Sequence, residues 1–401
     1  MAEAIDGTGV LPEGESNTRW LLSAESDIDP SISIVMPTLN EEDGIRECIE
    51  RVRAALDQLQ VHAEVLISDS STDRTPAIAR EMGAVVVEPD EAGYGAAYRY
   101  AFERVRGEYI VMGDADTTYD FERIPALLEP VRDGSADICM GSRLDGQIRE
   151  GSMPPLHRYF GNPILTKFLN TFYDVSMSDA HSGFRVFSHE ALERLELTTQ
   201  GMEFASEMIM EAGANGLEIA EVPIVYHERE GEETLDSFSD GWRHVRFMLV
   251  NAPGYLFSIP GLVFGFVGLF VMAVAFSGAT VGTVGLGPHS MVAGSLPVLV
   301  GFQVLNMGVF ATITGDPIQQ PTDRLTTWLI DNLQLERGVM VGLSLCAVGT
   351  VYAGYLFFQW VASGFTQLPL LLADIAAFTS IVLGLQIVFS ALLMSTIASQ
   401  R

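Results

Sequence analysis

Four long apolar stretches crowd the C-terminal part of the chain, at residues 254–276, 292–314, 339–362 and 370–396. Each holds about 20 residues or more, and at ~1.5 Å rise per residue that is enough helix to cross a ~30 Å hydrocarbon layer. From residue 251 onward the acids are Asp316, Asp323, Asp331, Glu336 and Asp374, and the bases are Arg324, Arg337 and Arg401. Buried helices of water-soluble proteins seldom run so long with so little charge, so residues 252–401 are expected to form a membrane domain of four spans. The links 277–290 and 363–369 carry no Lys or Arg, whereas Arg243 and Arg246 precede the first span, Arg324 and Arg337 separate the second from the third, and Arg401 ends the chain. By the positive-inside rule, both termini and the large N-terminal part lie on the cytoplasmic side of the cell membrane.

The rest of the charge lies upstream. Asp and Glu outnumber Lys and Arg by 52 to 23, the formal charge is −29, and Lys167 is the one lysine. A chain this acidic repels phosphate backbones, which excludes nucleic acid as a partner. It suits concentrated salt, where screening removes the self-repulsion of the compact state, and so points to a salt-adapted organism. Cys48, Cys139 and Cys346 are odd in number and far apart, and suggest neither a disulfide framework nor a metal knuckle.

Residues 1–29 are acidic and rich in Gly, Ser and Pro, without a basic segment followed by an apolar one. They read as a disordered or loosely docked tail rather than a signal peptide. Phe238, Trp242, Val245 and Leu249 recur at helical spacing beside Arg243 and Arg246, which predicts an amphipathic helix over 236–251 at the membrane interface. Leu325, Trp328, Leu329 and Leu333 repeat the pattern before the third span. Either segment would equally suit packing on protein, since an apolar face does not tell lipid from protein. Gln303, Asn306, Asp374 and Gln386 lie in or near the spans and are expected to make interhelical hydrogen bonds.

Residues 30–235 alternate short β-branched runs with amphipathic stretches, the pattern of an α/β domain with a largely parallel sheet. Strands are predicted at 33–36, 64–68, 84–88, 109–113, 137–141 and 218–226, and helices at 41–58, 74–82, 95–105 and 121–131. Small polar and acidic residues stand at several strand ends: Thr38 and Asn40, then Asp69, then Asp114 and Asp116. Ligands of open α/β sheets collect at that edge. In Asp114-Ala115-Asp116 two carboxylates follow an apolar strand, and such a pair can share Mg²⁺ or Mn²⁺ with a nucleotide diphosphate. An Asp-x-Asp recurs by chance in a chain so acidic, as Asp27-Ile28-Asp29 shows, so the position after a strand carries the signal.

Three further stretches fill out the pattern. Pro37-Thr38-Leu39-Asn40-Glu41 follows the first strand, Asp69-Ser70-Ser71-Thr72-Asp73-Arg74-Thr75 the second, and Gly113-Asp114-Ala115-Asp116 the fourth. Together they resemble glycosyltransferase family 2. Gly141-Ser142-Arg143 and Asp179-Ala180-His181-Ser182-Gly183-Phe184-Arg185 resemble its dolichyl-phosphate mannose and glucose synthase branch, and the acid excess points to a haloarchaeal member. The resemblance spans residues 32–226.

It implies a GT-A type, Rossmann-like catalytic domain at 30–235, and transfer of a hexose from a nucleoside diphosphate sugar, GDP-mannose or UDP-glucose, to dolichyl or another polyprenyl phosphate, with inversion. It also implies that Pro37, Thr38, Asn40, Glu41 and Asp69 hold base and ribose, that Asp116 is the main metal ligand, and that Asp114 bonds sugar or metal. Arg143 and Arg185 would face the acceptor phosphate and the diphosphate, and Asp179 would orient the donor sugar or an arginine. Two departures stand out: Thr117-Thr118 replaces the Leu-Gln that commonly follows Asp-Ala-Asp, and Gly231 is followed by Glu232-Glu233-Thr234 rather than a Gly-x-Ser-Lys stretch. Arg229 or His227 would then grip phosphate. Taken without the resemblance, Pro37 and Asn40 equally suit a strand end and a helix cap, Asp69 an Asx-turn, and Arg185 a surface ion pair.

A phosphomonoester is already anionic near neutral pH, its second pKa being about 6, so no catalytic histidine is nominated among His157, His181 and His227. Residues 154–172 carry Leu156, Tyr159, Phe160, Ile164, Phe168 and Phe172 around Lys167, and suit either a helix at the bilayer or a core helix. Two other functions compete: extension of a lipid-linked oligosaccharide, and a lipid-sugar carrier with a nucleotide-sugar-binding domain. Membrane lipid is a partner in every case, and a homo-oligomer is compatible with all of them.

Overall fold

The computed structural model describes residues 20–173, 175–229, 237–251, 254–278, 280–281, 284–314, 318, 335–366 and 372–398. The chain divides into two compact units, Met1–Phe247 and Met248–Arg401.

The first unit is built on β1 (Ile32–Thr38), β2 (Ala63–Asp69), β3 (Val85–Val87), β4 (Tyr109–Met112), β5 (Ile138–Ile148), β6 (Arg185–Ser188) and β7 (Ile219–Tyr226). Their order across the sheet is β3-β2-β1-β4-β6-β5-β7. β1 runs parallel to β2 and β4, and β5 to β7, so the expected parallel core is present. The sheet as a whole is mixed, because β6 runs antiparallel to both β4 and β5. This strand was not expected: it is four residues long and begins with a buried arginine, so it offers no apolar run to read.

Helices α1 (Ile45–Leu59), α2 (Thr75–Glu81), α3 (Tyr94–Phe102), α4 (Ile124–Arg132), α5 (Asn162–Phe172), α6 (His189–Glu193) and α7 (Phe204–Ala214) connect the strands. α1 shows why the pattern works: Ile45, Cys48, Ile49, Val52, Ala55 and Leu56 fall on one face at helical spacing and are all buried. That face closes a core with Ile34 and Met36 of β1, Val65 and Ile67 of β2, and Leu127 and Leu128 of α4. Fully burying side chains of this size stabilises by roughly 1.5–3 kcal/mol each.

Residues 20–22, expected within the tail, dock on β2: Ala63 N–H donates to the Trp20 carbonyl at 2.9 Å and Leu22 N–H to the Ala63 carbonyl at 2.8 Å. The preceding 19 residues lie outside the described ones. α8 (Ser237–Asn251) stands where the first interfacial helix was expected, with Trp242, Arg243 and Arg246 exposed and His244 and Val245 half-buried. The second such segment, 325–333, lies outside the described residues.

The second unit holds α9 (Ile259–Phe276), α10 (Pro288–Thr314), α11 (Leu335–Ala362) and α12 (Leu372–Ala398), all four long and apolar enough to cross a membrane. α9 packs on α10 and α11 on α12 at very short range. A Cβ on Gly261 would lie 2.8 Å from the Gly301 carbonyl, and one on Gly342 would lie 2.7 Å from the Gly384 carbonyl. Small residues allow this backbone approach, which is how apolar helices gain contact without a solvent to drive them together. Asp374 accepts a hydrogen bond from Tyr352 across α11 and α12 at 3.3 Å, as expected, whereas Asn306 donates to the Phe302 carbonyl of its own helix.

Candidate active site

The parallel register sets Thr38 beside Asp69 at the C-terminal edge of the sheet. The Thr38 hydroxyl donates to Asp69 Oδ1 at 2.7 Å. Pro37, opposite Ser68, is the penultimate residue of β1 and offers no N–H to the ladder. Asn40 adopts a left-handed φ of 60° and laces the two loops together: its N–H donates to Ser71 Oγ at 2.7 Å, and its Oδ1 accepts from Thr72 N–H at 2.9 Å. The loops after β1 and β2 therefore form one bonded shelf.

A second group gathers after β4. The Tyr94 hydroxyl donates to Asp114 Oδ1 at 2.9 Å, and Asp116 Oδ1 accepts from the Thr118 hydroxyl at 2.6 Å. The end of β7 bridges to this loop at Tyr119 and Tyr226, and His227 N–H donates to the Thr118 carbonyl. Arg229 arrives by that route, paired to Glu41 Oε1 and 3.8 Å from Asp116 Oδ2. Glu41, Asp114, Asp116 and Arg229 are thus one charge cluster.

The acids in it outnumber the cation. Burial pushes the Glu41 carboxyl up to about 7, against the pull of Arg229 and with the help of Asp116 and Asp114. Asp114 is held well above the ordinary carboxylate range by burial and by the Asp116 charge. Among the described residues no third His, Cys, Asp or Glu completes a ready-made metal cage with this pair. Two hard oxygen ligands short of positive charge nonetheless fit Mg²⁺ or Mn²⁺, since Mg²⁺ commonly takes one or two carboxylates and completes its shell with water and substrate phosphate. Asp116 and Asp114 are the residues that would hold it.

The third group is closed. Asp179, fully buried, takes Arg143 Nε at 2.7 Å and Nη2 at 2.9 Å, together with the Arg143 N–H at 3.0 Å. Burial alone would raise the Asp179 carboxyl, but Arg143 overrides it and holds it below its usual range. The guanidinium also lies over the Tyr226 ring, 5.2 Å from its centre. Glu221 of β7 fixes the loop from behind, accepting from the Ser178 and Asp179 N–H groups at 2.6 and 3.0 Å.

Arg185 does not stand where it was expected. It is fully buried and donates to the backbone carbonyls of Ser182, Ala180 and Ala205, at 2.9, 3.2 and 3.0 Å. It braces loop 180–183 from inside, because β6 points this side chain into the protein rather than toward the cleft. Neither a surface ion pair nor a phosphate contact describes that position.

Two side chains at this edge, those of Tyr94 and Tyr119, went unnamed in the sequence reading. Tyr94 is flanked by Gly93 and Gly95, a legible hint of a special turn, and Gly93 takes a φ of 134°. The Tyr119 hydroxyl accepts from Gly183 N–H at 2.7 Å. A Cβ on Gly183 would lie 3.0 Å from Asp114 Oδ2 and 3.2 Å from both tyrosine hydroxyls, so glycine there is what lets the loop reach the carboxylate.

Residues 33–196 match the glycosyl transferase family 2 pattern, and residues 309–398 match the glycosyltransferase family 2 C-terminal transmembrane region. A low-salt glycan biosynthesis hexosyltransferase of Haloferax volcanii is 56% identical over 394 residues, covering 98% of this chain and 95% of the relative. A dolichyl-phosphate hexose transferase of the same organism is 35% identical over 210 residues, 52% of this chain and 89% of that one. Among solved structures, glucosyl-3-phosphoglycerate synthase from Mycobacterium tuberculosis in complex with Mn²⁺, UDP and glucosyl-3-phosphoglycerate aligns with a TM-score of 0.45 and 23% identity, over 55% of this chain and 79% of that one.

Proposed function

The chain belongs to glycosyltransferase family 2, and on that premise we propose that it transfers a hexose from a nucleoside diphosphate sugar to a polyprenyl phosphate such as dolichyl phosphate. The reaction takes place at the cytoplasmic membrane face and inverts the anomeric carbon. The observation that carries this reading is the charge-deficient pair Asp114 and Asp116 at the end of β4, in a chain that also holds four apolar helices. The first suits a diphosphate with its cation, the second an acceptor that lives in a membrane. An exposed apolar face supports the lipid acceptor: Leu156, Tyr159, Phe160 and Ile164 are all more than half exposed, next to Lys167. A donor of GDP-mannose or UDP-glucose type fits the shelf of Thr38, Asn40 and Asp69, with Pro37 shaping its edge.

The acceptor phosphate is its own nucleophile, anionic near neutral pH, so no side chain needs to deprotonate it. Its oxygen attacks the anomeric carbon from the side opposite the departing diphosphate, which inverts the centre. The barrier then lies in bringing two anions together and in the charge on the leaving group. Arg143, clamped by Asp179, is fixed in advance to meet an anion and loses little freedom in doing so. Arg229 answers the diphosphate, and a divalent cation on Asp116 and Asp114 would add positive charge there. Arg185 acts indirectly, by shaping the loop that presents Asp179.

A second reading is favoured by the 56% identical relative, whose name places it in glycan biosynthesis: the same chemistry applied to a longer lipid-linked glycan. Full-length protein in membranes, in molar KCl with Mg²⁺ or Mn²⁺, is incubated with each of several nucleotide sugars and either dolichyl phosphate or lipid-linked glycan. The extract is analysed by mass spectrometry. A hexosyl-phosphate lipid from dolichyl phosphate establishes the first reading, product from the glycan acceptor alone establishes the second, and nucleotide-sugar binding without product sinks both in favour of a carrier.

A further inference from the structure

Behind the loop that carries Asp179 runs a hydrogen-bond chain with no part in the reaction outlined above. His181 Nε2 is 3.1 Å from Ser206 Oγ, and Ser206 Oγ is 3.0 Å from His244 Nδ1. The two imidazoles stand edge to face with centres 5.3 Å apart. The three residues come from three places: the loop after α5, the first turn of α7, and α8, the helix whose sequence continues into the apolar unit. Ser206 is fully buried, and the residue beside it, Ala205, gives its carbonyl to Arg185. The start of α7 is therefore a post to which both the loop and α8 are tied.

One hydroxyl carries one proton. If Ser206 donates to His181, then His244 must donate to Ser206, and if Ser206 donates to His244, then His181 must donate to it. At most one of the two ring nitrogens can accept the Ser206 proton, so the hydroxyl couples the two rings. Burial, with His244 beside it, drives the His181 pKa down to about 3. That ring is neutral in the working range.

What the loop controls gives the chain its consequence. Asp179 at one end clamps Arg143, and Gly183 at the other sits against Asp114, Tyr94 and Tyr119. A small shift of this loop would move the anion-binding arginine and the carboxylate together. We propose that His181, Ser206 and His244 form a positioning relay that ties the juxtamembrane helix α8 to loop 179–183, so that turnover depends on where α8 lies. The consequence for turnover rests on the transfer reaction proposed above, whereas the mechanical tie does not.

The test uses full-length protein with Ser206→Ala, His244→Ala, the double variant, and His244→Asn, whose amide reaches the Nδ1 position. Steady-state kinetics is paired with amide hydrogen exchange of the peptides spanning 179–184 and 242–248. Each single alanine variant is expected to lower kcat about five- to tenfold with KM for the nucleotide sugar within about twofold, the split expected of a positioning role. The double variant should be no worse than the worse single one, since a chain broken once is broken, and His244→Asn should recover most of the turnover. Exchange should quicken in 179–184 on mutating His244, although the two segments are far apart in sequence. Unchanged exchange in 179–184 in His244→Ala, or losses that multiply in the double variant, would overturn the relay. If the wild type yields no glycolipid, the exchange arm still decides for or against the tie, so the relay and the reaction fail separately.

Discussion

Two corners of the site, both charged, are built on opposite plans. In the corner formed by Glu41, Asp114 and Asp116, the acids exceed the guanidinium of Arg229, and the Glu41 and Asp114 carboxyls are driven toward their protonated forms. In the corner formed by Arg143 and Asp179, a two-point ion pair with a third bond from the backbone leaves the carboxylate fully answered. A buried charge without its counterpart is costly, so a fold keeps one only where something else is to bind. The first corner is a socket; the second is a clamp that holds Arg143 in place beside it.

The sharpest probe of this contrast is Asp116→Asn. Transfer should fall about a thousandfold, while the apparent melting temperature without divalent cation stays level or rises as repulsion with Asp114 and Glu41 is relieved. A large loss of stability would mean that the corner is not a socket. Asp179→Ala should behave in the opposite way. It strands the Arg143 charge and should cost about 3–5 kcal/mol of stability, read as a lower urea midpoint for the catalytic unit, with activity lost alongside.

Gly183→Ala joins the two corners. The added methyl meets Asp114, Tyr94 and Tyr119 at 3.0–3.2 Å, so the carboxylate must shift by a few tenths of an ångström. The expected result is a fall in kcat of about tenfold with little change in melting. Smallest near neutral pH, and growing below it, is the effect of His181. Its pKa falls from 6.5 to about 3 on folding, so the unfolded chain takes up a proton that the folded one refuses. Stability is complete above pH 6.5 and declines by about 1.4 kcal/mol per pH unit as pH falls toward 3. A His181→Asn variant followed by melting between pH 7 and pH 4 should lose that contribution to the acid slope.

The same contrast explains what could be read from the residues in order. Strand ends and the acids on them are local features: Thr38, Asp69, Asp114 and Asp116 follow apolar runs directly, and the structure assembles them at one edge. The spans were legible for a similar reason, since length and lack of charge need no partner to be recognised. Helix α7 was not, because residues 204–212 are buried on every side, Glu207 among them accepting from the Thr198 and Thr199 N–H groups, so no one-sided apolar period marks it. Arg185 misled because a charge in a sequence says nothing of its depth. Tyr119 with Gly183, 64 residues apart, and His181 with His244 meet only after the chain has closed, and contacts so distant leave no spacing to detect.

The glycine contacts that join α9 to α10 and α11 to α12 carry no charge. Ionic strength, which screens the self-repulsion of the acidic catalytic unit, therefore has little hold on them. As salt is withdrawn, the two halves should part company thermally: the catalytic unit loosens first while the helical hairpins stay paired in the bilayer. The membrane half then acts as a mooring, keeping the loosened catalytic unit at the surface where the lipid acceptor proposed above would be met.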